Sequence, residues 1–347
     1  MTRRFFAVLR RHAALCCFTT ILVFGLTSNS LSEEPKVTFT TIDPPGTDTS
    51  ICSFASGINT RREVVGGYCE VTPDGLIVGH GYLLHKGTYT AIDFPGAFGS
   101  EADGINDRSD IVGNYCLGLD CGDSTHGFLL SQGEFVSIDF PGAAATFASS
   151  INDRGDVTGG YCDGNCSIGH GFLLRNGEFT TIDFPGASET DPLSINSRGD
   201  IVGLYFNGGV PPGHAFLLRN GRYTTIDPPG SASSAARGIN CRGDIVGRWV
   251  DSGQLSHGYL RRKGKYSSFD YPGSGFTRAS GINSRGDIVG DWIDTDFQNQ
   301  HGYLLTGLVT KEGDKEAEPQ GTSQRAPTPL VGREWRVGRN VLTGKRF

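Results

Sequence analysis

Two residue types that carry proton transfer and metal ligation recur at a regular spacing along this chain. A histidine followed by Gly or Ala and an aromatic residue appears at His80, His126, His170, His214, His257 and His301. An aspartate in the phrase IDFPG, or a close variant, appears at Asp43, Asp93, Asp139, Asp183, Asp227 and Asp270. Histidine and aspartate both serve in acid–base catalysis, and histidine is a common ligand of transition metals.

Repetition favours a structural role for these residues. A catalytic site brings unlike residues together once, whereas one His and one Asp in every repeat meet a need that every repeat shares. We expect them to satisfy one another or nearby main-chain groups, because unpaired buried polar atoms are costly. A ring of histidines holding a transition metal is the alternative. We expect no cofactor, unless Asn and Asp side chains in the repeated turns hold a cation.

Acidic residues that are not repeated are the better candidates for ligand binding. GAFGSEADG contains Glu101 and Asp103, GASETDPLS contains Glu189 and Asp191, and DTDFQNQ contains Asp294 and Asp296. We assign these stretches to loops, because repeats diverge where the fold does not constrain them. Variable loops on a rigid scaffold are common binding sites. Paired carboxylates are also what glycoside hydrolysis needs.

A phrase close to INxRGDIVG sets the period of the elements that position these residues. Its asparagines are Asn59, Asn106, Asn152, Asn196, Asn240 and Asn283, separated by 47, 46, 44, 44 and 43 residues. The third copy contains four short segments with strand-like alternation, ASSIN, DVTGGYC, HGFLLR and EFTTIDF, divided by turn residues. Asn-Gly between two apolar runs, as in LLRNGEF, indicates a β-hairpin.

Four strands in a period of ~44 residues predict one blade of a β-propeller. A lone fourth strand, KVTFTTIDPPG, precedes the first copy, and the last copy lacks its own. The N-terminal strand can therefore complete the last blade and remove the free sheet edges. We predict an all-β fold, a six-bladed β-propeller over residues 36–310 that this strand closes. A β-solenoid is the main alternative.

The same residues support a family resemblance. The repeated GINxRGDIVGxY followed by HGFLLxxGxFxxIDFPG resembles the bacterial extracellular repeat family named HAF, after its His-Ala-Phe tripeptide. The resemblance covers residues 36–307, and the tripeptide itself stands once, starting at His214. It implies export and a propeller-like domain, and it implies no particular reaction.

The repeated phrase also contains Arg-Gly-Asp, an adhesion ligand in other settings. It occurs four times, for example at Arg154, Gly155 and Asp156. An adhesion ligand would not need four copies in one tight turn, whereas Asn and Gly are typical turn residues. We predict that this tripeptide is a turn between the first and second strands.

The cysteines indicate disulfides in an oxidising compartment. Cys52 and Cys69 flank the first turn symmetrically, and two close pairs bracket loops of the next two copies. The predicted pairs are Cys52 with Cys69, Cys116 with Cys121, and Cys162 with Cys166, which leaves Cys241 free. The spacing of the two close pairs is only a weak signal for metal binding.

The two ends of the chain differ from the repeats in composition. Residues 1–32 have the arginine-rich start, short apolar run and small polar exit of a signal peptide, with ordinary secretion favoured over the twin-arginine route. The apolar run is shorter than the roughly 20 residues of a membrane span. Residues 311–347 are polar and without periodicity, which predicts a disordered tail. We therefore expect a secreted or periplasmic protein.

Charge and motifs narrow the function without naming a ligand. A formal net charge of -6, with no basic block before the tail, argues against nucleic acid and anionic membranes as partners. No nucleophile elbow, phosphate-binding glycine loop or HExxH motif is present. We predict a secreted, monomeric, non-enzymatic propeller that binds an extracellular glycan or surface protein. The alternative is a secreted hydrolase or lyase acting on an extracellular polymer, which clustered nonrepeated carboxylates would favour.

Overall fold

The computed structural model describes residues 37–47, 52–118, 125–164, 169–208 and 212–308, and the main chain of Gln324 and Arg325. These residues form β-strands joined by turns, with no helix among them, so the all-β prediction is confirmed. The predicted signal peptide, residues 1–32, and the rest of the predicted tail, residues 311–347, lie outside the described residues. No helix in the described part of the chain is long and apolar enough to cross a membrane.

Twenty-five strands follow one another along the described residues. They are β1 (Thr38–Ile42), β2 (Ser53–Ile58), β3 (Val64–Val71), β4 (Ile77–His85), β5 (Thr88–Ile92), β6 (Gly99–Ile105), β7 (Ile111–Cys116), β8 (Thr125–Ser131), β9 (Glu134–Ile138), β10 (Ala145–Ile151), β11 (Val157–Cys162), β12 (Gly169–Arg175), β13 (Glu178–Ile182), β14 (Glu189–Ile195), β15 (Ile201–Phe206), β16 (Gly213–Arg219), β17 (Arg222–Thr225), β18 (Ser233–Ile239), β19 (Ile245–Val250), β20 (Ser256–Arg262), β21 (Lys265–Phe269), β22 (Ser274–Ile282), β23 (Ile288–Asp294), β24 (Gln300–Thr306) and β25 (Gln324–Arg325).

The first five repeats each form four antiparallel strands, and the sixth contributes three, which share one sheet with those of the fifth. The first four sheets are β2 to β5, β6 to β9, β10 to β13 and β14 to β17, with β25 added at the edge of β17. In the fifth repeat β18 to β21 pair in the same order, and in the sixth β22 pairs with β23 and β23 with β24. One parallel pairing, Ser256 with Phe276, joins these last two repeats. The four-stranded repeat predicted from sequence is confirmed.

The fourth strand of the sixth repeat comes from the other end of the chain. β1 pairs antiparallel with β24, from Thr38 opposite Thr306 to Ile42 opposite Gly302. Hydrophobic packing makes a second connection between the two ends, because Val289 of β23 lies in the same apolar cluster as Ile58 and Tyr82 of the first repeat.

Local sequence explains the hairpin between the third and fourth strands. In the third repeat this turn is Asn176-Gly177, with φ values of 53° and 81°. Positive φ at both positions gives the two-residue turn whose twist matches that of paired strands, and Asn and Gly adopt it most readily. The hairpin predicted from LLRNGEF is confirmed.

The turn between the first and second strands is organised by its asparagine. The Asn152 Oδ1 accepts hydrogen bonds from the main-chain N–H groups of Arg154 and Asp156, at 2.9 and 3.0 Å. Its Nδ2 donates to the Asp156 carboxylate at 2.9 Å and to the main-chain carbonyl of Asn196 in the next repeat at 3.1 Å. Asp156 is 4% exposed and accepts from Arg154 and Arg175 as well. The predicted turn is confirmed, and the aspartate of its Arg-Gly-Asp is buried rather than displayed.

The same amide contact links each repeat to the next. Asn59, Asn106, Asn152, Asn196 and Asn240 each donate from Nδ2 to the carbonyl of the following asparagine, and Asn283 donates to the carbonyl of Asn59 at 3.1 Å. All six are 3 or 4% exposed, so these bonds are shielded from water. We call this set the asparagine series.

The predicted disulfide between Cys52 and Cys69 is present, with the two Cα atoms 5.2 Å apart. Cys116 and Cys162 are each disulfide-bonded, and their predicted partners Cys121 and Cys166 lie outside the described residues. Cys241 has a free, exposed thiol.

Candidate functional site

A β-bulge occurs at the same place in the first strand of every repeat. The register of each first strand against its second strand shifts by one residue there, which leaves one residue without a partner in the ladder. These unpaired residues are Ser56, Asp103, Ser149, Leu193, Arg237 and Ser280. A bulge frees a side chain from the ladder and re-aims it. The bulge is therefore repeated in all six first strands, whereas the side chain at the bulge differs between repeats.

A glycine in the second strand accommodates each bulge. In the third repeat it is Gly159 of β11, where an added Cβ would lie 1.8 Å from the carbonyl oxygen of Phe147 in β10. The equivalent distances at Gly66, Gly113, Gly203, Gly247 and Gly290 are 2.0 to 2.1 Å. Each of these six glycines is thus required by the close approach of the neighbouring carbonyl.

The six bulge residues all line one cavity of about 480 Å³, which we call the six-strand cavity. Side chains beside the bulges complete its wall: Glu101, Asn114, Phe147, Tyr161, His170, Glu189 and Asp191 are among them. Four of the carboxylates predicted to bind a ligand, those of Glu101, Asp103, Glu189 and Asp191, are therefore brought together.

One amide group joins two of these carboxylates. The Asn114 Nδ2 donates to Asp103 at 2.7 Å and, at a longer 3.4 Å, to Glu101. Its Oδ1 accepts from the main-chain N–H of Ala148 at 2.8 Å, which fixes the orientation of the amide. Glu101 and Asp103 flank Ala102, which is fully buried, so both face away from the apolar core and into the cavity.

Arg237 is the cation of the six-strand cavity. Its Nε is buried and has no hydrogen-bond partner among the described residues. Burial and the nearby Arg278 lower the pKa of Arg237 to about 10, while Asp291, Asp191 and Asp103 act in the opposite direction. The guanidinium therefore stays charged at neutral pH and keeps at least one unused donor.

Three carboxyl groups of the cavity, those of Glu101, Asp103 and Asp191, hold their protons more tightly than exposed ones. Part of each side chain faces the cavity, but most of its surroundings are protein rather than water. Their charged forms are therefore poorly hydrated. Burial, reinforced by the charge of Glu101, raises the pKa of Asp103 well above its usual range. Burial likewise raises the pKa of Glu101, and it raises that of Asp191 to about 6 despite the opposing charge of Arg237. Perturbed carboxylates gathered in one cavity are typical of functional sites.

Two corrections concern the location of these acids. Glu101 and Asp103 lie in β6, and Glu189 and Asp191 lie in β14, so the assignment of these stretches to loops was wrong. Charged residues are depleted in strands, but here the polar face of the first strand lines a cavity instead of a core.

The remaining two predicted acids are not part of this cluster. Asp294 ends β23 and accepts hydrogen bonds from the main-chain N–H of Gln298 and the side chain of Asn299, both at 2.8 Å. Asp296 lies in the turn that follows and is exposed. Neither lines the six-strand cavity, and they serve below as matched controls.

The repeated histidines and aspartates meet in six pairs. Each histidine Nδ1 lies 2.7 to 3.2 Å from a carboxylate oxygen, in the pairs His80 with Asp93, His126 with Asp139, His170 with Asp183, His214 with Asp227, His257 with Asp270, and His301 with Asp43. Each ring also packs on the aromatic residue that precedes it in the second strand, as His170 does on Tyr161 at 5.3 Å. Among the described residues, no group of three or more His, Cys, Asp or Glu is arranged to hold a metal ion.

No family model matches this chain, and no curated protein matches it in sequence. Solved structures resemble it only distantly. The β-propeller domain of the trilobed protease from Pyrococcus furiosus aligns with a TM-score of 0.47 and 7% identity, over 81% of this chain and 99% of that one. A triple mutant of AofleA from Arthrobotrys oligospora aligns with a TM-score of 0.48 and 12% identity, over 83% of this chain and 91% of that one. TolB from Acinetobacter baumannii aligns with a TM-score of 0.40 and 10% identity over 72% of this chain, which spans 53% of TolB.

The raised pKa of Asp191 predicts how stability depends on pH. An acid with a pKa of about 6 in the folded protein and 3.8 when unperturbed binds its proton more tightly when folded. Its contribution to the free energy of unfolding is therefore lost as pH rises from about 4 to 6. Relative to wild type, Asp191→Asn should gain about 1–3 kcal/mol across that interval, measured by urea unfolding at several pH values. Asp294→Asn is the control, because hydrogen bonds lower the pKa of Asp294 and removing it should not reproduce this gain.

Sequence reasoning missed Arg237 and Asn114. Arg237 stands in SSAARGIN, where it occupies the position of Ser149 in ATFASSIN of the third copy. Aligning the six copies on the isoleucine that ends the first strand would have placed Arg237 and Asp103 at one equivalent position. Asn114 similarly aligns with Gly160 of the third repeat.

Proposed function

We propose that this protein is a secreted, six-bladed β-propeller that binds an extracellular oligosaccharide in the six-strand cavity. The observation that carries the proposal is the convergence of unlike side chains, Asp103, Arg237 and three serines among them, from equivalent bulges of six repeats. A residue that only stabilises the fold can be the same in every repeat. Recognition of an asymmetric ligand requires different side chains at equivalent positions.

Several contacts support closure of the six sheets into a ring. The asparagine series returns from Asn283 to Asn59. His301 of the sixth repeat pairs with Asp43, which follows β1, at 2.8 Å. Each other His–Asp pair lies within one repeat, so the N-terminal segment takes the place of the missing fourth strand. A cavity lined by all six first strands is what a propeller axis would produce.

The chemistry of the cavity supports a hydroxyl-rich ligand. Carboxylates accept hydrogen bonds from sugar hydroxyls, and the unused donor of Arg237 can bond a ring or glycosidic oxygen. Phe147 is 39% exposed although it lies in a strand, and it offers an apolar face to the cavity. A volume of about 480 Å³ falls within the range of small-ligand sites. Export is supported by the Cys52–Cys69 disulfide, since such bonds persist in oxidising compartments.

One observation favours a second candidate, a hydrolase or lyase acting on an extracellular polymer. Asp103 and Glu101 share the amide of Asn114, and the pKa of Asp103 is raised well above its usual range. A carboxyl group whose pKa is raised is suited to act as a general acid beside a second carboxyl group. This would make the cavity catalytic as well as binding.

A glycan array with the mature protein, followed by titration calorimetry, tests the proposal. Arg237→Ser places at the bulge the residue found there in three other repeats, so the fold should be retained. We expect about tenfold weaker glycan binding or worse, because a charge-assisted hydrogen bond is lost. Asp294→Asn and Asp296→Asn should bind as wild type. Unchanged affinity in Arg237→Ser, or loss in the two controls, would exclude this cavity. Release of reducing ends that disappears in Asp103→Asn would establish the enzyme.

A further inference from the structure

A second cavity, unrelated to the first, is strongly basic. It measures about 750 Å³ and is lined by residues of the fourth, fifth and sixth repeats, most of them in the turns that join first to second and third to fourth strands. Six cations line it, Arg219, Arg242, Arg261, Arg262, Lys263 and Arg285, against two acids, Asp244 and Asp287. We call it the basic cleft. Such a concentration of positive charge is unexpected in a chain of formal net charge -6.

Arg261 departs from the repeat pattern. The equivalent third-strand residues of the other five repeats are Leu84, Leu130, Leu174, Leu218 and Leu305. These leucines belong to the apolar core, whereas Arg261 brings a charge to the same position. Its Nε is buried without a hydrogen-bond partner among the described residues, and its guanidinium carbon lies 5.7 Å from the centre of the Tyr266 ring. The contact with the Tyr266 ring leaves this Nε without a partner, so a charge at a position that is leucine in the other five repeats calls for another explanation.

Three of the six cations of the basic cleft form no salt bridge with a described residue. Arg242 and Arg262 both contact Asp244, at 3.0 and 3.3 Å, and Arg219 contacts Asp200 at 3.0 Å. Asp287 forms a salt bridge with Arg62 of the first repeat, which donates two hydrogen bonds to it at 2.8 and 3.0 Å. Arg261, Lys263 and Arg285 therefore have no salt-bridge partner among the described residues, and they line the same cleft.

We propose that the basic cleft binds a tetrahedral oxyanion, the phosphate or sulfate group of an extracellular ligand. Guanidinium groups present planar, fixed donors that match the oxygens of such groups, and lysine adds a mobile point charge. The buried Nε of Arg261 supplies a donor that no described protein group satisfies. A neutral sugar would make no use of the positive charge of these side chains, whereas an oxyanion would pair with it. The cleft is independent of the six-strand cavity, so the failure of one proposal leaves the other intact.

Two substitutions drawn from the repeats themselves allow a clean test. Arg261→Leu restores the residue of the five other repeats, and Lys263→Gln introduces the residue that Gln132 provides at the same turn position, where φ is also positive. Lys86→Gln is the matched control, because Lys86 occupies that turn position in the first repeat with a φ of 50° and does not line the cleft.

The measurement is titration calorimetry of the mature protein with inorganic phosphate and with sulfate, at neutral pH and low ionic strength. We expect one site that Arg261→Leu weakens about tenfold or more and Lys263→Gln severalfold, with Lys86→Gln unchanged. The thermal midpoint of Arg261→Leu should be equal to or above that of wild type, which shows that lost binding is not lost folding. The phosphate and sulfate titrations identify the preferred anion. Absence of binding to both anions, or equal weakening in Lys86→Gln, would overturn the proposal.

Discussion

Replacing Asn152 with alanine is expected to lower the free energy of unfolding by about 3–5 kcal/mol. The side chain makes four hydrogen bonds, two from main-chain N–H groups of its own turn, one to Asp156 and one to the carbonyl of Asn196. It is 3% exposed, so water cannot replace these bonds. The substitution therefore leaves buried donors and acceptors unpaired in two repeats at once. Urea unfolding followed by tryptophan fluorescence gives the change directly.

Asn207→Ala is the control for this substitution, because Asn207 is exposed in the loop that follows β15. Its free energy of unfolding should stay within about 0.5 kcal/mol of wild type. If Asn152→Ala were equally mild, the asparagine series would not hold the repeats together, and the support it lends to ring closure would disappear.

Gly159→Ala should destabilise the protein by at least about 3 kcal/mol or prevent folding. The new Cβ would lie 1.8 Å from the carbonyl oxygen of Phe147, and a main-chain atom in a paired strand cannot move aside cheaply. β10 and β11 would have to separate at the bulge, which would also displace Ser149 from the six-strand cavity. Thermal unfolding and circular dichroism of the purified variant measure the effect.

The adjacent glycine provides the comparison. An added Cβ at Gly160 would lie no closer than 3.5 Å to any atom, the nearest being an Asp191 oxygen. Gly160→Ala should therefore change stability by less than about 1 kcal/mol. If Gly160→Ala lowered stability as much as Gly159→Ala, the loss of stability would come from replacing any glycine of this strand. The close carbonyl of Phe147 would then not be its cause.

The strands and turns were predictable because their signals are local. Alternating polarity, Asn-Gly at positive φ and the INxRGD turn each act within a few residues, and six copies make each signal visible several times. The Cys52–Cys69 disulfide was predictable for the same reason, since both residues flank one hairpin.

The candidate site was only half predictable. Glu101, Asp103, Glu189 and Asp191 were selected because their stretches vary between the repeats. For the same reason they were assigned to loops, whereas they lie in β6 and β14. The bulge also inserts one residue into each first strand, so strict alternation fails at the positions that matter most. Their meeting with Arg237 depends on how six strands converge, and no signal within a few residues carries that information.

The role proposed for Arg261 could not be predicted from the sequence, for a different reason. A single arginine among five leucines reads as ordinary divergence of one repeat. Its significance appears only when its unpartnered Nε and the pairing of the surrounding acids are known. Long-range pairing such as that of Arg62 with Asp287, 225 residues apart, is not visible in the order of the residues.

The pairing of β1 with β24 determines when this protein can finish folding. β1 is the first described strand to be synthesised, and its partner is completed only at Thr306. Until then β1 has no neighbour, and His301 and Asp43, 258 residues apart, cannot meet. Closing so long a loop is slow in comparison with forming the hairpins. We therefore expect the hairpins to form before the two ends pair, and β1 stays without its partner strand until β24 has been synthesised.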